Sequence, residues 1–292
     1  MNRASLFLAA LALAVAPARA EDFYAGKTLT IAVHVGVGGT YDSYIRLLSR
    51  HIGRHIPGHP AVIVVNQVGG GGLLSFNHMA RVAPQDGTWI AQVTQSMILH
   101  ELTGQPGMRA SLGQVKWIGN LSQSNNVAMV WPTSKVRTVA QAREQEFRVG
   151  ATGVGATSAQ LPALYNALLG TRFKLIGGYK GTADLNLAMM RGEIQGRGGS
   201  WLSVEQAAPE MIQKKEIKAI VYAALSRDPA NPDVPTLPEL VKDPTQKQAA
   251  EFVSSESDYG RAVFLPPRVP ADRVDILRKA FDATMKDAEF LA

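Results

Sequence analysis

The sequence predicts an α/β protein of two lobes, each an open mixed sheet flanked by helices. Three observations lead there. Short apolar, β-prone runs are followed by glycine turns and then by apolar residues at helical spacing. Three such units begin within the stretch Thr28 to Val93, and the same plan starts again at Arg148. About 270 residues remain after the N-terminal leader, enough for one large unit or two lobes, each with its own core.

The leader is read from Arg3, the apolar run Ala4 to Val15 and the small-x-small signal Ala18-Arg19-Ala20. That is the pattern of a cleaved secretory signal peptide over 1–20, and the expected location is the periplasm. No later apolar run has the length of a membrane span. The chain has no cysteine, which excludes thiolate chemistry, cysteine zinc sites and disulfides, so the core must hold the fold. The formal charge of +6 falls to +4 once Arg3 and Arg19 are cut away, and the basic residues are scattered. Nucleic acid is therefore not expected as a partner, while a mild positive balance suits an anionic ligand.

The elements follow in order. Leu29, Ile31, Val33 and Val35 make a first strand, and Tyr41, Tyr44, Ile45, Leu48 and Ile52 a helix after the turn at Gly36–Gly39. Val62 to Val65 is continuously apolar and reads as a strand buried on both faces of a parallel sheet. Gly69 to Gly72 and a helix from Leu73 follow, then a strand over 88–93. After a less regular stretch come strands at 116–121, 127–131 and 148–151. The loop Thr152 to Ser158 leads into a helix that Gly170 stops. Phe173 to Ile176, the loop Gly177 to Thr182 and a helix from Leu185 repeat the unit. Ile217 to Ala224 is another strand; the proline-rich segment 227–238 is irregular. A strand at 260–265 and a helix from Ala271 close the chain. The lobes are drawn as 21–122 with 226–292, and 123–225.

Candidate chemistry lies in the loops. The turn Gly36 to Asp42 sits between strand and helix, where free amides and the helix dipole favour an anion. A dinucleotide fingerprint is excluded there, because Tyr41 stands at the third glycine position and Asn66, not an acid, ends the second strand. No cofactor is expected. Asp42 favours the first helical turn with or without a ligand. His51, His55 and His59 are spaced by four, but Pro57-Gly58 breaks the helix before the third, so they read as solvated surface and no metal is expected. Ser158 has no histidine base paired with it in sequence and reads as a hydrogen-bonding hydroxyl at a helix start; no catalytic residue is assigned. Arg197, between Gly196 and Gly198-Gly199, reads either as a carboxylate-binding fork or as an exposed turn arginine.

These motifs, in order, resemble the periplasmic receptors of tripartite tricarboxylate transporters, the Bug family. The matching residues are Phe23-Tyr24-x-x-Lys27, Gly38-Gly39-Thr40-Tyr41-Asp42, Asn66 with Gly69 to Gly72, and Pro84 to Thr88. Gly178-Tyr179-Lys180-Gly181, Gly192-Glu193-Ile194, and Arg227 with Pro232 to Glu239 complete the set. The resemblance implies a two-lobed type II binding-protein fold that closes on a small carboxylate held largely by backbone amides of glycine loops. Carried over, the site residues are Gly38, Gly39, Thr40, Asp42, Gly70 and Gly71 from one lobe. Gly155, Thr157, Ser158, Tyr179, Lys180 and Gly181 come from the other, with Arg197 added from the residue reading. It further implies a monomer that delivers its ligand to membrane permease subunits and performs no chemistry. A ligand sensor acting on a membrane kinase, or an enzyme on the same lobes, are the alternatives.

Three departures from the family pattern stand out. Val68 replaces a common proline. Gln195 replaces a common aspartate, with Arg197 close behind, which makes the pocket more positive. The chain also stops at Ala292 where relatives continue with a further helical segment, as a short branch or a truncated product whose first lobe would be less stable.

Overall fold

The structure is a computed structural model and describes residues 23–207 and 209–292. The segment read as a signal peptide lies outside the described residues. In chain order the elements begin with β1 Thr28–Val33, α1 Thr40–His51, β2 Ala61–Asn66, α2 Leu73–Arg81, β3 Trp89–Gln92, α3 Met97–Leu102 and β4 Lys116–Asn120. Next come β5 Asn126–Val130, α4 Val139–Glu144, β6 Phe147–Gly150, α5 Thr157–Leu169, β7 Phe173–Ile176, α6 Thr182–Met190 and β8 Gly196–Ser200. Then follow α7 Leu202–Ala207, α8 Pro209–Gln213, β9 Lys218–Ala223, α9 Leu237–Leu240, α10 Pro244–Ser254, β10 Ala262–Leu265, α11 Ala271–Thr284 and α12 Ala288–Leu291.

Two five-stranded mixed sheets form, in the orders β2-β1-β3-β10-β4 and β7-β6-β8-β5-β9. In each, three strands run parallel, and the fourth in order lies antiparallel to both its neighbours. Both faces of each sheet are covered by helices, giving four apolar clusters. This matches the expected two-lobed α/β class.

Two connections cross between the sheets, at 121–125 and near 255–261, and they hydrogen-bond to each other. Ser124 N–H donates to Ser257 O at 3.1 Å, and Arg261 N–H donates to Ser122 O at 3.0 Å. The buried Gln95 side chain straps both, donating to Ser124 O (3.0 Å) and Glu256 O (3.2 Å). Paired crossings of this kind leave few torsions about which two lobes can swing.

Several sequence expectations change. Strand β2 is not buried on both faces: it is the edge of its sheet, and Ile63 is 48% exposed. Apolar run length reports β-propensity, and does not say which strand becomes an edge. The stretch around Arg197 is not a turn but β8, at the centre of the second sheet. Glycine serves there because neighbours approach closely: a Cβ on Gly196 would lie 2.2 Å from Met129 O, and one on Gly198 3.1 Å from the Pro162 ring. The return crossing also moves. Leu237, Val241, Ala250 and Val253, of α9, α10 and the loop joining them, pack into the core of the second sheet, so the chain rejoins the first sheet near 255–261, not at 226. Helices α3, α4, α7, α8, α9, α10 and α12 were not read from the sequence, and α9 begins inside the segment read as irregular, with Pro238 in its first turn, where proline is tolerated; α4 and α10 are capped by the Thr138 and Asp243 side chains.

His51 and His55 are also more than solvated surface. His55 Nε2 lies 2.8 Å from Asp287 Oδ2, and Arg54 contacts His51, Asp287 and Glu289. Hydrogen bonds from His55 and Arg54 hold the Asp287 carboxyl down at about 2. His51, Asp287 and Glu289 present ligand atoms within 4.8 Å of one another, but the Arg54 guanidinium already fills that role of counter-cation.

Candidate ligand-binding site

The turn after β1 is built by Asp42. Gly39, the residue before α1, has no side chain to cap the helix, so Asp42 reaches back from the first turn. Its carboxylate accepts from Gly38 N–H (3.0 Å), Arg46 Nε (2.9 Å) and Asn66 Nδ2 (2.9 Å). Asn66 Nδ2 also donates to Val35 O at 2.7 Å, tying the turn to the end of β2. Burial pushes the Asp42 pKa up, but the hydrogen bonds from Arg46, Gly38 and Asn66 outweigh it and hold the carboxyl below its ordinary value. Asp42 is 1% exposed and turned into its own loop, so its oxygens are committed to the fold.

The glycine loops of the two lobes meet each other. Gly36 N–H donates to Lys180 O across the cleft at 3.1 Å. A Cβ on Gly71 would lie 2.4 Å from Ala156 N, one on Gly153 2.4 Å from Gly71 N, and one on Gly155 2.9 Å from Gly70 O. Beside them Ser96 Oγ donates to Gly155 O (2.9 Å) and Thr157 Oγ1 to Ser96 Oγ (3.2 Å). Only residues without a side chain allow backbone to pack on backbone this closely.

Behind these contacts lies a cavity of about 60 Å³. That is several times the space one water needs, and well below the volume that holds a drug-sized ligand. The starts of α1 and α5, through Thr40, Tyr41, Thr157 and Ser158, line it from opposite lobes, and a helix start favours an anion. Hydroxyl and amide side chains, including Thr94, Gln95, Asn126 and Ser200, share the rest of the lining with glycines and apolar side chains such as Val35 and Leu185. Among the described residues, no aspartate or glutamate lines it.

Two arginines line it, one from each side. Arg197, on β8, is 2% exposed; its Nε donates to Asn186 Oδ1 at 3.1 Å and its Nη2 to Ser203 Oγ. Burial lowers its pKa to about 10, which still leaves it charged at neutral pH. Arg261, at the end of the return crossing, is fully buried, with its guanidinium 4.1 Å from the Tyr41 ring centroid. Its Nε and Nη2 have no hydrogen-bond partner among the described residues. His34, beside Tyr41, is lowered to about 4 by burial, with a further push from the Arg261 charge, so it is neutral.

Of the residues named from sequence, Thr40, Gly71, Thr157, Ser158, Lys180 and Arg197 line the cavity. Gly70, Gly155 and Gly181 sit at the contacts between lobes; the Gly181 position faces Gly36 N. Gly38 and Gly39 face Ala183 and Thr182 of α6, while Tyr179 lies against Gly150 in the second lobe. Arg197 is buried in a strand, which rules out the exposed-turn reading. Arg261, His34, Gln95 and Asn126 are not among the site residues the sequence suggests, and Tyr41 stands there only as a helix-face and motif residue. Their only sequence signal is polar character inside or beside apolar runs, such as His34 between Val33 and Val35.

A larger hollow of about 540 Å³ lies beside β4 and β10, bordered by Leu102, Trp117 and Tyr259. It is chiefly apolar, and no lysine or arginine among the described residues lines it.

Two mixed sheets joined by paired crossings, with a small cavity between them, are the plan of a two-lobed solute-binding protein. The chain belongs to the tripartite tricarboxylate transporter receptor family, whose model, described as "Tripartite tricarboxylate transporter family receptor", matches residues 49–290. Its fold is similar to that of the periplasmic binding protein BugD, with a TM-score of 0.71 at 20% identity, covering 92% of this chain and 86% of that one. It is likewise similar to MatC from Rhodopseudomonas palustris, solved with bound malate, with a TM-score of 0.70 at 19% identity, covering 91% and 86%. In sequence it is 25% identical to a UPF0065 protein of Agrobacterium vitis, over 92% of this chain and 75% of that protein.

Proposed function

We propose that this protein is a periplasmic receptor that closes its two lobes on a small carboxylate and delivers it to the membrane permease subunits of a tripartite tricarboxylate-type transporter. The observation that carries the reading is the composition of the cavity: the Arg197 and Arg261 guanidiniums, Lys180, the starts of two helices and several hydroxyls, with no aspartate or glutamate among the described lining residues. Buried cations without counter-ions are costly, and an anionic guest relieves that cost when the lobes close over it. The relatives solved with malate and with adipate support a carboxylate guest. Thr40, Gly71, Thr157, Ser158, Lys180 and Arg197 are the proposed ligand-facing residues. Gly38, Gly39, Asp42, Gly70, Gly155, Tyr179 and Gly181 shape or close the site around them. Transport, not turnover, is the proposed role, and the protein acts as a monomer.

The test is a thermal-shift screen of the purified protein against carboxylic acids, followed by recovery of the ligand. A raised melting temperature with the acid recovered unchanged supports the receptor. Conversion of the acid to another compound would overturn it.

A further inference from the structure

Exposed apolar side chains are ordinary when scattered and informative when they gather. Val37, Val68 and Leu74 of the first lobe and Val154, Leu187 and Met190 of the second are all exposed, and all lie along the seam where the lobes touch. Val37 sits between Gly36, whose N–H donates to Lys180 O, and Gly38, where a Cβ would lie 3.9 Å from Ala183 Cβ. Ala183 is itself exposed and begins a stripe on α6 that continues at Leu187 and Met190, the spacing of one helix face. The opposite face of α6, with Leu185, Ala188 and Met189, is buried in the second lobe, so this helix is apolar on both sides. Farther along the seam, Val154 stands between Gly153 and Gly155, whose positions press on Gly71 and Gly70. Val68 and Leu74 flank that glycine loop of the first lobe, and Leu74 Cβ lies 3.1 Å from where a Cβ on Gly69 would be. No Asp, Glu, Lys or Arg occurs in 61–77 or in 149–171. Both lobes thus contribute neutral, apolar surface to one seam, and only closure assembles it.

We propose that this seam is the surface by which the closed receptor docks on uncharged, apolar periplasmic loops of its transporter's integral-membrane subunits. The proposal rests on the reading of the chain as a transport receptor. The surface is continuous with the contact between the lobes, so opening splits it into two halves. Val37, Val68 and Leu74 go with one half, and Val154, Leu187 and Met190 with the other. A partner that needs both halves distinguishes the closed receptor from the open one without touching the cargo, because it binds one state better than the other. The charge-free loops make this recognition apolar and not steered by charge.

Closure can be fixed for the test without any ligand. The chain has no cysteine. A Cβ on Gly39 would lie 3.5 Å from Thr182 Cβ, at the separation of about 3.5–4.5 Å that a disulfide spans. The Gly39→Cys/Thr182→Cys double variant, oxidised or reduced, is titrated onto lipid nanodiscs holding the membrane subunits and onto protein-free nanodiscs. The expected result is binding to the subunits roughly 10-fold tighter after oxidation, changed less than about twofold between low and high salt. In the locked protein, Val154→Glu and Leu187→Glu should each remove that gain. Val82→Glu, at an exposed apolar position where α2 ends away from the seam, should keep it. Full binding by the two seam variants, a steep fall with salt, equal binding to protein-free nanodiscs, or self-association of the locked form in place of binding would each overturn the docking surface while leaving the receptor standing. A cysteine pair that does not oxidise would overturn it as well, since the seam would then not close. Subunits that bind neither the locked nor the reduced form would overturn the transport reading itself.

Discussion

The backbone of Gly71 in the first lobe lies so close to Ala156 in the second that a Cβ on the glycine would sit 2.4 Å from the Ala156 nitrogen. The lobes therefore close backbone to backbone at this point, and Gly71 holds a φ of +69° to do so. Gly71→Ala adds both a clash and left-handed strain on the order of 1 kcal/mol, without deleting any polar side chain. The expected outcome is a protein that folds with near wild-type stability but closes poorly. Ligand affinity falls roughly 10- to 100-fold, as a shift of about 1.4–2.8 kcal/mol in the closed state requires. Small-angle scattering should lose the contraction that ligand induces in the wild type. An unaltered contraction in the variant would show that the contact is not part of closure.

Asp42 should matter to stability before it matters to binding. Asp42→Asn removes the ionised acceptor for Gly38 N–H and Arg46 Nε, and charge-assisted bonds of this kind contribute about 1.5–3 kcal/mol each to a buried acceptor. The Asp42 carboxyl is held below its ordinary value in the fold. Its contribution is present above the unfolded-state carboxyl pKa and is lost as pH falls through the lower folded value. Denaturant melts should therefore show a clear gap between wild type and variant at pH 7. That gap should shrink as the pH is lowered below about 4.

Glu256 works in the opposite sense. It lies in the return crossing, 2% exposed, and burial raises its pKa to about 8. The folded protein keeps this proton at neutral pH while the unfolded chain releases it. Stability is thus highest below the unfolded pKa and declines as pH rises, until about 8, where the folded form ionises too. Glu256→Gln should remove this slope and raise stability at pH 7–8 by on the order of 2 kcal/mol, with little change at pH 4. Melting temperatures across pH 4 to 9 for both proteins decide it, and parallel curves would refute the buried acid.

Gly196→Ala tests the strand around Arg197. Its Cβ would meet Met129 O at 2.2 Å and the Phe147 ring at 2.7 Å, in the middle of the second sheet. A loss of about 3 kcal/mol or more is expected, in the range of severe core overpacking. Urea unfolding measures it, and a loss under 1 kcal/mol would mean that the sheet relaxes around the methyl group.

Most of the fold was legible because strands and helices follow local periodicity. The apolar positions of α1, from Tyr41 to Leu48, and of α5, from Leu161 to Leu168, announce their helices without help from the rest of the chain. The glycine turns were equally visible, because a turn between strand and helix asks for glycine locally. Their partners were not. That Gly71 would meet Ala156, or Gly36 meet Lys180, depends on how two lobes come together, and no window of sequence contains both residues.

The sequence by itself determined the class: two α/β halves, glycine loops at the strand ends, and an order of motifs that points to a family. The tertiary structure decided the site. Strand β8 carries four glycines or small residues around Arg197 and looks like a turn until Met129, Phe147 and Pro162 close in on it. Arg261 looks like an ordinary loop arginine until the return crossing brings it against Tyr41 and buries it whole. Burial is a property of what surrounds a residue, and for these two arginines the surroundings come from segments more than a hundred residues apart.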